Sequence, residues 1–253
     1  MYLDIHAHFA EEGYDVTEEL ARIQEAGVEK VVLASDTLLH SQMHALLAKE
    51  NAPFYFTAGI HPSSAGEYGE DAREGLSSLL THPKCIAVGE IGLDYHYPDT
   101  DKPAQYKAFC AQLALADEAG LPVQIHSRDA CADTLAILQE HKDLLKRGFL
   151  LHCYSYSPQS LDDFLSLGGY VSFGGVTTFK NAKKAVESVL ACPTERILTE
   201  TDSPYLSPFR GEKNTPANIP VILSRIAQIK GVGEEGLKEQ MKKNAYALFP
   251  KLG

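Results

Sequence analysis

The residues best equipped for chemistry stand near the start of the chain, in the run Leu3-Asp4-Ile5-His6-Ala7-His8. In a β-strand alternate side chains share a face, so Asp4, His6 and His8 point one way and Leu3, Ile5 and Ala7 the other. Two imidazoles on one face make a bidentate clamp for a transition metal, because neutral imidazole is a common metal ligand. A half-buried histidine pair with no ligand looks the same at this scale, so the clamp has to be judged by its company. That company is His61, Glu90, His126, His152 and Asp202, each following a short apolar run.

Those runs are the elements that must position the ligands. Apolar or β-branched stretches at 2–6, 30–34, 54–60, 85–90, 122–126, 149–153, 169–173 and 196–201 read as eight strands. Amphipathic stretches between them read as helices at 17–26, 40–50, 71–80, 103–119, 130–140, 158–167 and 181–190, followed by a carboxy-terminal pair at 219–230 and 234–248. Thr17 ahead of Glu18 and Glu19 reads as a helix N-cap, Gly27 as a stop, and Asp101 and Gly120 as the bounds of the fourth helix. Strict alternation with a strand about every thirty residues predicts parallel strands with crossover helices. Eight repeats predict an α/β fold, a (β/α)8 TIM barrel with an extra C-terminal helix, ahead of a doubly wound open sheet. With no linker or low-complexity tract, residues 1–253 are expected to form one domain. In a barrel the carboxyl ends of the strands share one rim. Five of the ten histidines, with Glu90 and Asp202, would then meet there.

Composition narrows the setting. At 253 residues and 44% hydrophobic content the chain can bury a full core. The uncharged runs are broken by Gly, Pro, Ser or Thr, so no membrane span is expected, and Asp4 and His6 stand where a signal peptide needs a basic start. Five scattered cysteines, none in a CxxC pair, fit a reducing, cytoplasmic location and argue against a disulfide framework or a thiolate zinc site. A formal net charge of -11 is unfavourable for holding nucleic acid over a broad face, so bound cations would have to supply the attraction locally.

Taken together, DIHAH at 4–8, AGIHP at 58–62, VGEIGLDYH at 88–96, PVQIHSRDA at 122–130, LLHCYS at 150–155 and TETDSPYL at 199–206 resemble the TatD family of metal-dependent hydrolases and deoxyribonucleases, within the amidohydrolase-like barrels. The resemblance implies two divalent metal ions, with His6, His8, Glu90 and Asp202 holding one and Glu90, His126 and His152 the other. It also implies deoxyribonuclease activity, often exonucleolytic from the 3′ end, on DNA that is single-stranded or offers 3′ ends. Glu90 between two ions would limit their repulsion, and four neutral imidazoles with two carboxylates carry -2 against +4, leaving the centre cationic by about two units. The chemistry expected is hydrolysis of a phosphodiester by metal-activated water, with Asp202 accepting the proton and Glu90 as the second catalytic residue. The His-rich set suits Zn, Mn, Ni or Fe, whereas the phosphoryl chemistry and the resemblance allow Mg.

Weaker expectations attach to four possible substrate contacts. His61 faces either the substrate or a backbone cap. Arg128 would bind phosphate or pair with Asp129. Tyr95, with His96, would stack on a nucleotide or stay in a solvated loop, and Arg210 would meet the phosphate backbone or serve as ordinary loop charge. Asp94 and Glu200 read as partners of the ligands, and Cys153 as packing. A dinuclear barrel also supports hydrolysis of another ester, such as an aminoacyl-tRNA or a small molecule. No lysine stands at the fifth strand end to form a carbamate, which disfavours the lactonase and phosphotriesterase branches. A non-catalytic metal-stabilised module is disfavoured because structural sites are closed and need no dinuclear arrangement.

Overall fold

The structure is a computed structural model describing residues 2–8 and 15–253. Eight strands, β1 (Tyr2–Ala7), β2 (Val28–Leu33), β3 (Phe54–Ala58), β4 (Cys85–Asp94), β5 (Val123–Arg128), β6 (Phe149–Leu151), β7 (Tyr170–Phe173) and β8 (Ile197–Thr199), pair in parallel in chain order. The ring is joined by the bridge between Ala7 and Ser203, where the Asp202 N–H donates to the His6 carbonyl and the His8 N–H to the Ser203 carbonyl. Helices α1 (Val16–Glu25), α2 (Leu38–Glu50), α3 (Glu70–Leu80), α4 (Lys102–Ala119), α5 (Cys131–Glu140), α6 (Pro158–Ser166) and α7 (Lys183–Ala191) fill the crossovers. After β8 come α8 (Ile219–Lys230) and α9 (Glu234–Leu248). This is the TIM barrel with an added C-terminal helix that the alternation predicts.

Helix boundaries follow their caps. Asp15, not Thr17, caps α1, its carboxylate accepting from the Thr17 and Glu18 N–H groups. Asp101 accepts from the Ala104 N–H to start α4, and Gly120 ends it in a left-handed conformation at φ 65°.

Two clusters divide the interior. The larger packs the outer faces of the strands against the helices, with Phe54, Phe56, Phe109, Phe149 and Phe164 fully buried. The smaller gathers Leu3, Ile5, Val32, Ile86, Leu150 and Leu198 from the strands around Phe249 and Leu252. The C-terminal turn thus plugs the end of the barrel at which the strands begin, and the Lys30 ammonium donates to the Leu252 carbonyl there. Among the described residues no helix is long and apolar enough to cross a membrane.

Candidate metal centre

At the other end the strands deliver polar side chains. Asp4 and His6 are fully buried and His8 nearly so. All three share a face, and Asp4 accepts from the backbone N–H and hydroxyl of Thr201, which fixes the segment after β8 against β1. Burial raises the Asp4 pKa to about 8 against those hydrogen bonds.

Glu90 does not sit at a strand end. β4 continues to Asp94, and Glu90 falls where its register with β5 slips between Val88 and Ile91. The slip turns Glu90 inward halfway along the strand. Glycines permit it: a Cβ on Gly89 would lie 2.8 Å from the Gln124 Cβ, and one on Gly92, at φ 140°, only 2.0 Å from the His126 carbonyl oxygen. Other departures are smaller. His61 lies past β3 and caps a short 3-10 turn, His152 follows β6, and Glu200 to Asp202 follow β8.

The two oxygens of Glu90 face different histidine pairs. Oε2 lies 3.4 Å from His6 Nε2 and 3.8 Å from His8 Nε2. Oε1 lies 2.7 Å from His126 Nδ1 and 2.8 Å from His152 Nε2. Asp202 Oδ1 completes the first group, 3.4 Å from His8 Nε2 and 3.7 Å from His6 Nε2. The backbone of Asp202 is left-handed at φ 55°, and that of Cys153, beside His152, at φ 46°. Such conformations are uncommon outside glycine and cluster at functional sites.

Hydrogen bonds behind the ring decide which nitrogen carries each proton. The Gln124 amide nitrogen donates to the Ile5 carbonyl at 2.8 Å, so its oxygen faces His6 Nδ1 at 3.0 Å and must accept from it. His6 therefore presents a bare Nε2 to the centre, where it meets His8 Nε2 at 3.1 Å. His126 Nε2 is held at 3.1 Å by the Asp94 carboxylate, leaving Nδ1 bare toward Glu90 and, at 3.2 Å, His152 Nε2. Lone pairs thus converge on carboxylate oxygens, at 2.7–2.8 Å around Glu90 Oε1 and 3.4–3.8 Å around Glu90 Oε2 and Asp202. Acceptors so placed repel one another unless a cation, proton or metal ion, lies among them. The donor set fits divalent metal ions.

His61 behaves differently. Its Nδ1 accepts from the Ser63 backbone N–H at 3.1 Å, so the neutral ring carries its proton on Nε2, 3.7 Å from Glu90 Oε1. Burial holds its pKa down to about 4. It is an N–H donor aimed at the centre, although its position alone also permits a ligand role beside Glu90 and His126.

The electrostatics record a strongly anionic surround. Burial opposes charge on His8, yet Asp202, Asp36 and Glu90 outweigh it and lift its pKa to about 9. Against the same burial, Glu90 and Glu200 raise His152 well above its ordinary value, and Asp94 and Glu90 raise His126. Glu90 itself is buried, but His152, His6 and His61 and the bond from His126 hold it well below the usual carboxylate range. Asp36, Asp94 and Glu200 stand 3.5, 3.1 and 3.7 Å from His8 Nδ1, His126 Nε2 and His152 Nδ1. The expectation of a centre cationic by two units counted only the ligands. With these three carboxylates the ring carries five negative charges, so two divalent ions do not leave it positive.

Of the weaker expectations, His61 alone reaches the centre. The Tyr95 hydroxyl donates to Asp133 at 2.9 Å and its ring lies under the Lys102 ammonium, while His96 Nδ1 meets Asp129 at 3.1 Å. Arg128 and Arg210 are exposed on the rim. Gln124 and Asp36 lie outside the set of residues that the sequence pattern singles out. Gln124 shares strand parity with His126 two residues on, and Asp36 follows the second strand, as the ligands follow theirs.

The TatD related DNase family model matches residues 3–250. The chain belongs to the TatD family. It is thus a metal-dependent hydrolase, and the relatives below match 93–98% of the chain. An uncharacterized metal-dependent hydrolase, YabD of Bacillus subtilis, is 36% identical over 253 residues, covering 98% of this chain and 99% of its own. The 3′-5′ ssDNA/RNA exonuclease TatD of Citrobacter rodentium is 36% identical over 242 residues, covering 93% of this chain and 92% of its own. Among solved structures, the TatD homolog YJJV of Escherichia coli K12 superposes with a TM-score of 0.93 at 28% identity, covering 98% of each chain.

Proposed function

We propose that this chain is a single-domain exonuclease that trims single-stranded nucleic acid from its 3′ end, in the cytoplasm, with two divalent ions. His6, His8, Glu90 and Asp202 would hold one ion, and Glu90, His126 and His152 the other. The observation that carries the reading is the division of Glu90, with Oε2 toward His6 and His8 and Oε1 toward His126 and His152. When bound, such a pair of ions supplies Lewis-acid stabilisation of phosphoryl charge and lowers the pKa of water, which Mg, Mn, Zn or Ni would each do.

The chain's own groups do the rest. Asp202 stays ionised because, against burial, the bond from His8 and the nearby His6 and His152 imidazoles lower its pKa. Its carboxylate accepts the proton of the attacking water. The Nε2–H of His61 donates to a phosphate oxygen, the donor that the neutral ring keeps because the Ser63 N–H holds Nδ1 as acceptor. Gln124, Asp36 and Asp94 orient the imidazoles. The nucleic-acid substrate is supported by the exonuclease names of relatives such as the Citrobacter protein. The test is a metal-stripped sample given a 5′-labelled single-stranded DNA with each metal in turn. A ladder shortening from the 3′ end only when metal is restored is the expected result. Hydrolysis of aminoacyl-tRNA or small esters without any DNA cleavage would move the substrate elsewhere.

A further inference from the structure

A ring of five carboxylates leaves the attraction of a polyanionic strand unexplained at the centre, and the rim around it is divided. The loops and first turns after β3 to β5 are acidic, with Glu67, Glu70, Asp71, Asp99, Asp101 and Asp129 all exposed. Their cations are engaged or outnumbered: Arg73 pairs with Glu118 at 2.6 Å, Lys102 lies over Tyr95, and Arg128 stands exposed beside Asp129 and close enough to Asp94 to lower its pKa.

The loops after β7 and β8 are the reverse. Residues 174–187 expose Lys180, Lys183 and Lys184 against Glu187, and residues 205–218 expose Arg210 and Lys213 against Glu212. Among the described residues only Lys183 of these five has an ion-pair partner, Glu187 at a loose 3.9 Å. Aromatic rings are exposed between them, Phe179 by 36%, Tyr205 by 48% and Phe209 by 44%. Exposed rings interleaved with free cations are what an unpaired strand needs, because bases stack on the rings while phosphates meet the charges. Tyr97 is exposed too, but it stands beside Asp99 and Asp101.

The sector is continuous with the catalytic centre. Asp202 leads directly to Tyr205, whose ring lies 6.0 Å from that of His8. The 206–208 segment runs against the loop after β7, so closely that a Cβ on Gly175 would lie 1.9 Å from the Leu206 carbonyl oxygen. Beyond it an open groove between α6 and α7 is lined by Ser157, Gln159, Asn181, Lys183 and Lys184, with Glu187. Asp162 and Asp163, three and four residues beyond Gln159 on α6, are exposed but do not line the groove.

We propose that this sector is a track for the single-stranded substrate, running from Tyr205 past Phe209 and Arg210 to Phe179, Lys180 and the Lys183–Lys184 groove. The proposal rests on the nucleic-acid reading of the centre and adds to it the direction in which the strand leaves. The track engages only substrates longer than the few nucleotides held at the ions.

The experiment compares fluorescein-labelled dT3 and dT15, by kcat/KM with the activating metal and by anisotropy for Kd. Lys180→Glu/Lys183→Glu/Lys184→Glu is set against Lys49→Glu/Lys142→Glu/Lys243→Glu, which changes net charge equally at exposed sites away from the rim. The first triple is expected to reduce the dT15-to-dT3 ratio of kcat/KM at least tenfold, and to lower the salt slope of dT15 binding by about two, as loss of three phosphate contacts requires. The second is expected to change the ratio less than twofold. Phe209→Ala is expected to weaken dT15 binding roughly tenfold with the salt slope intact, the mark of lost stacking. Equal effects of both triples, or an unchanged ratio and Kd in the first, would overturn the track while leaving the nuclease reading standing. If wild type binds dT15 through these lysines but cleaves neither substrate, the nuclease reading fails and the track survives. If it neither binds nor cleaves, both fall.

Discussion

At the lower end of the barrel Leu3, Ile5, Ile86, Leu150 and Leu198 close on Phe249 and Leu252; farther along the same strands stand His6, Glu90 and, just past a strand, His152. The lower end is apolar packing with its C-terminal turn tied in by Lys30. The upper end concentrates imidazoles and carboxylates at hydrogen-bond distance, on backbone that turns left-handed at Cys153 and Asp202. Stability is invested at one end and chemistry at the other, so substitutions should separate the two.

The largest effect belongs to the upper end. Glu90→Gln keeps the shape but removes the shared charge, and should lower kcat by about 10³-fold or more, read by steady-state cleavage of single-stranded DNA. Phe249→Ala, at the lower end, should cost about 3–5 kcal/mol in urea unfolding while the folded fraction keeps its kcat within about twofold. A comparable loss of kcat in the second variant would break the separation. Gln124→Leu sharpens it, because this side chain fixes the His6 tautomer and otherwise bonds the Ile5 carbonyl. Metal affinity by competitive chelator titration should fall about 10–100-fold, while metal-free unfolding loses only about 1–3 kcal/mol with the bond to Ile5.

The smallest effect is a pH dependence placed between the ends. His44 donates its Nδ1–H to Ser35, whose hydroxyl is committed to the Thr57 carbonyl, and its Nε2 is buried without a partner. Burial pushes its pKa down from 6.5 to about 3. The unfolded chain therefore takes up a proton below pH 6.5 that the folded chain refuses, and stability falls as pH drops from there toward 3. Between pH 7.5 and 5.5 this group should cost wild type about 1.4 kcal/mol that His44→Leu does not lose, measured by unfolding at both values.

The barrel was legible because strand and helix periods alternate cleanly, and the ligand types were legible because each follows an apolar run. Glu90 was misplaced at a strand end, since nothing in a one-dimensional pattern shows that Gly89 and Gly92 let β4 slip against β5. The charge of the centre was misjudged for a related reason. Asp94 and Glu200 read as partners of the ligands yet stood outside the charge count, and Asp36 is remote in sequence from His8, which only the fold brings against it. The same holds for the basic sector, where Arg210 reads as ordinary loop charge until the loop after β8 is seen lying against the loop after β7.

The central claim is that one carboxylate serves two cation positions, and Mn(II) loading tests it most directly. Metal-stripped protein should take up two Mn(II) per chain, with an electron paramagnetic resonance spectrum showing exchange coupling that disappears in Glu90→Gln. A single uncoupled Mn(II) per wild-type chain, or coupling that survives without Glu90, would contradict it.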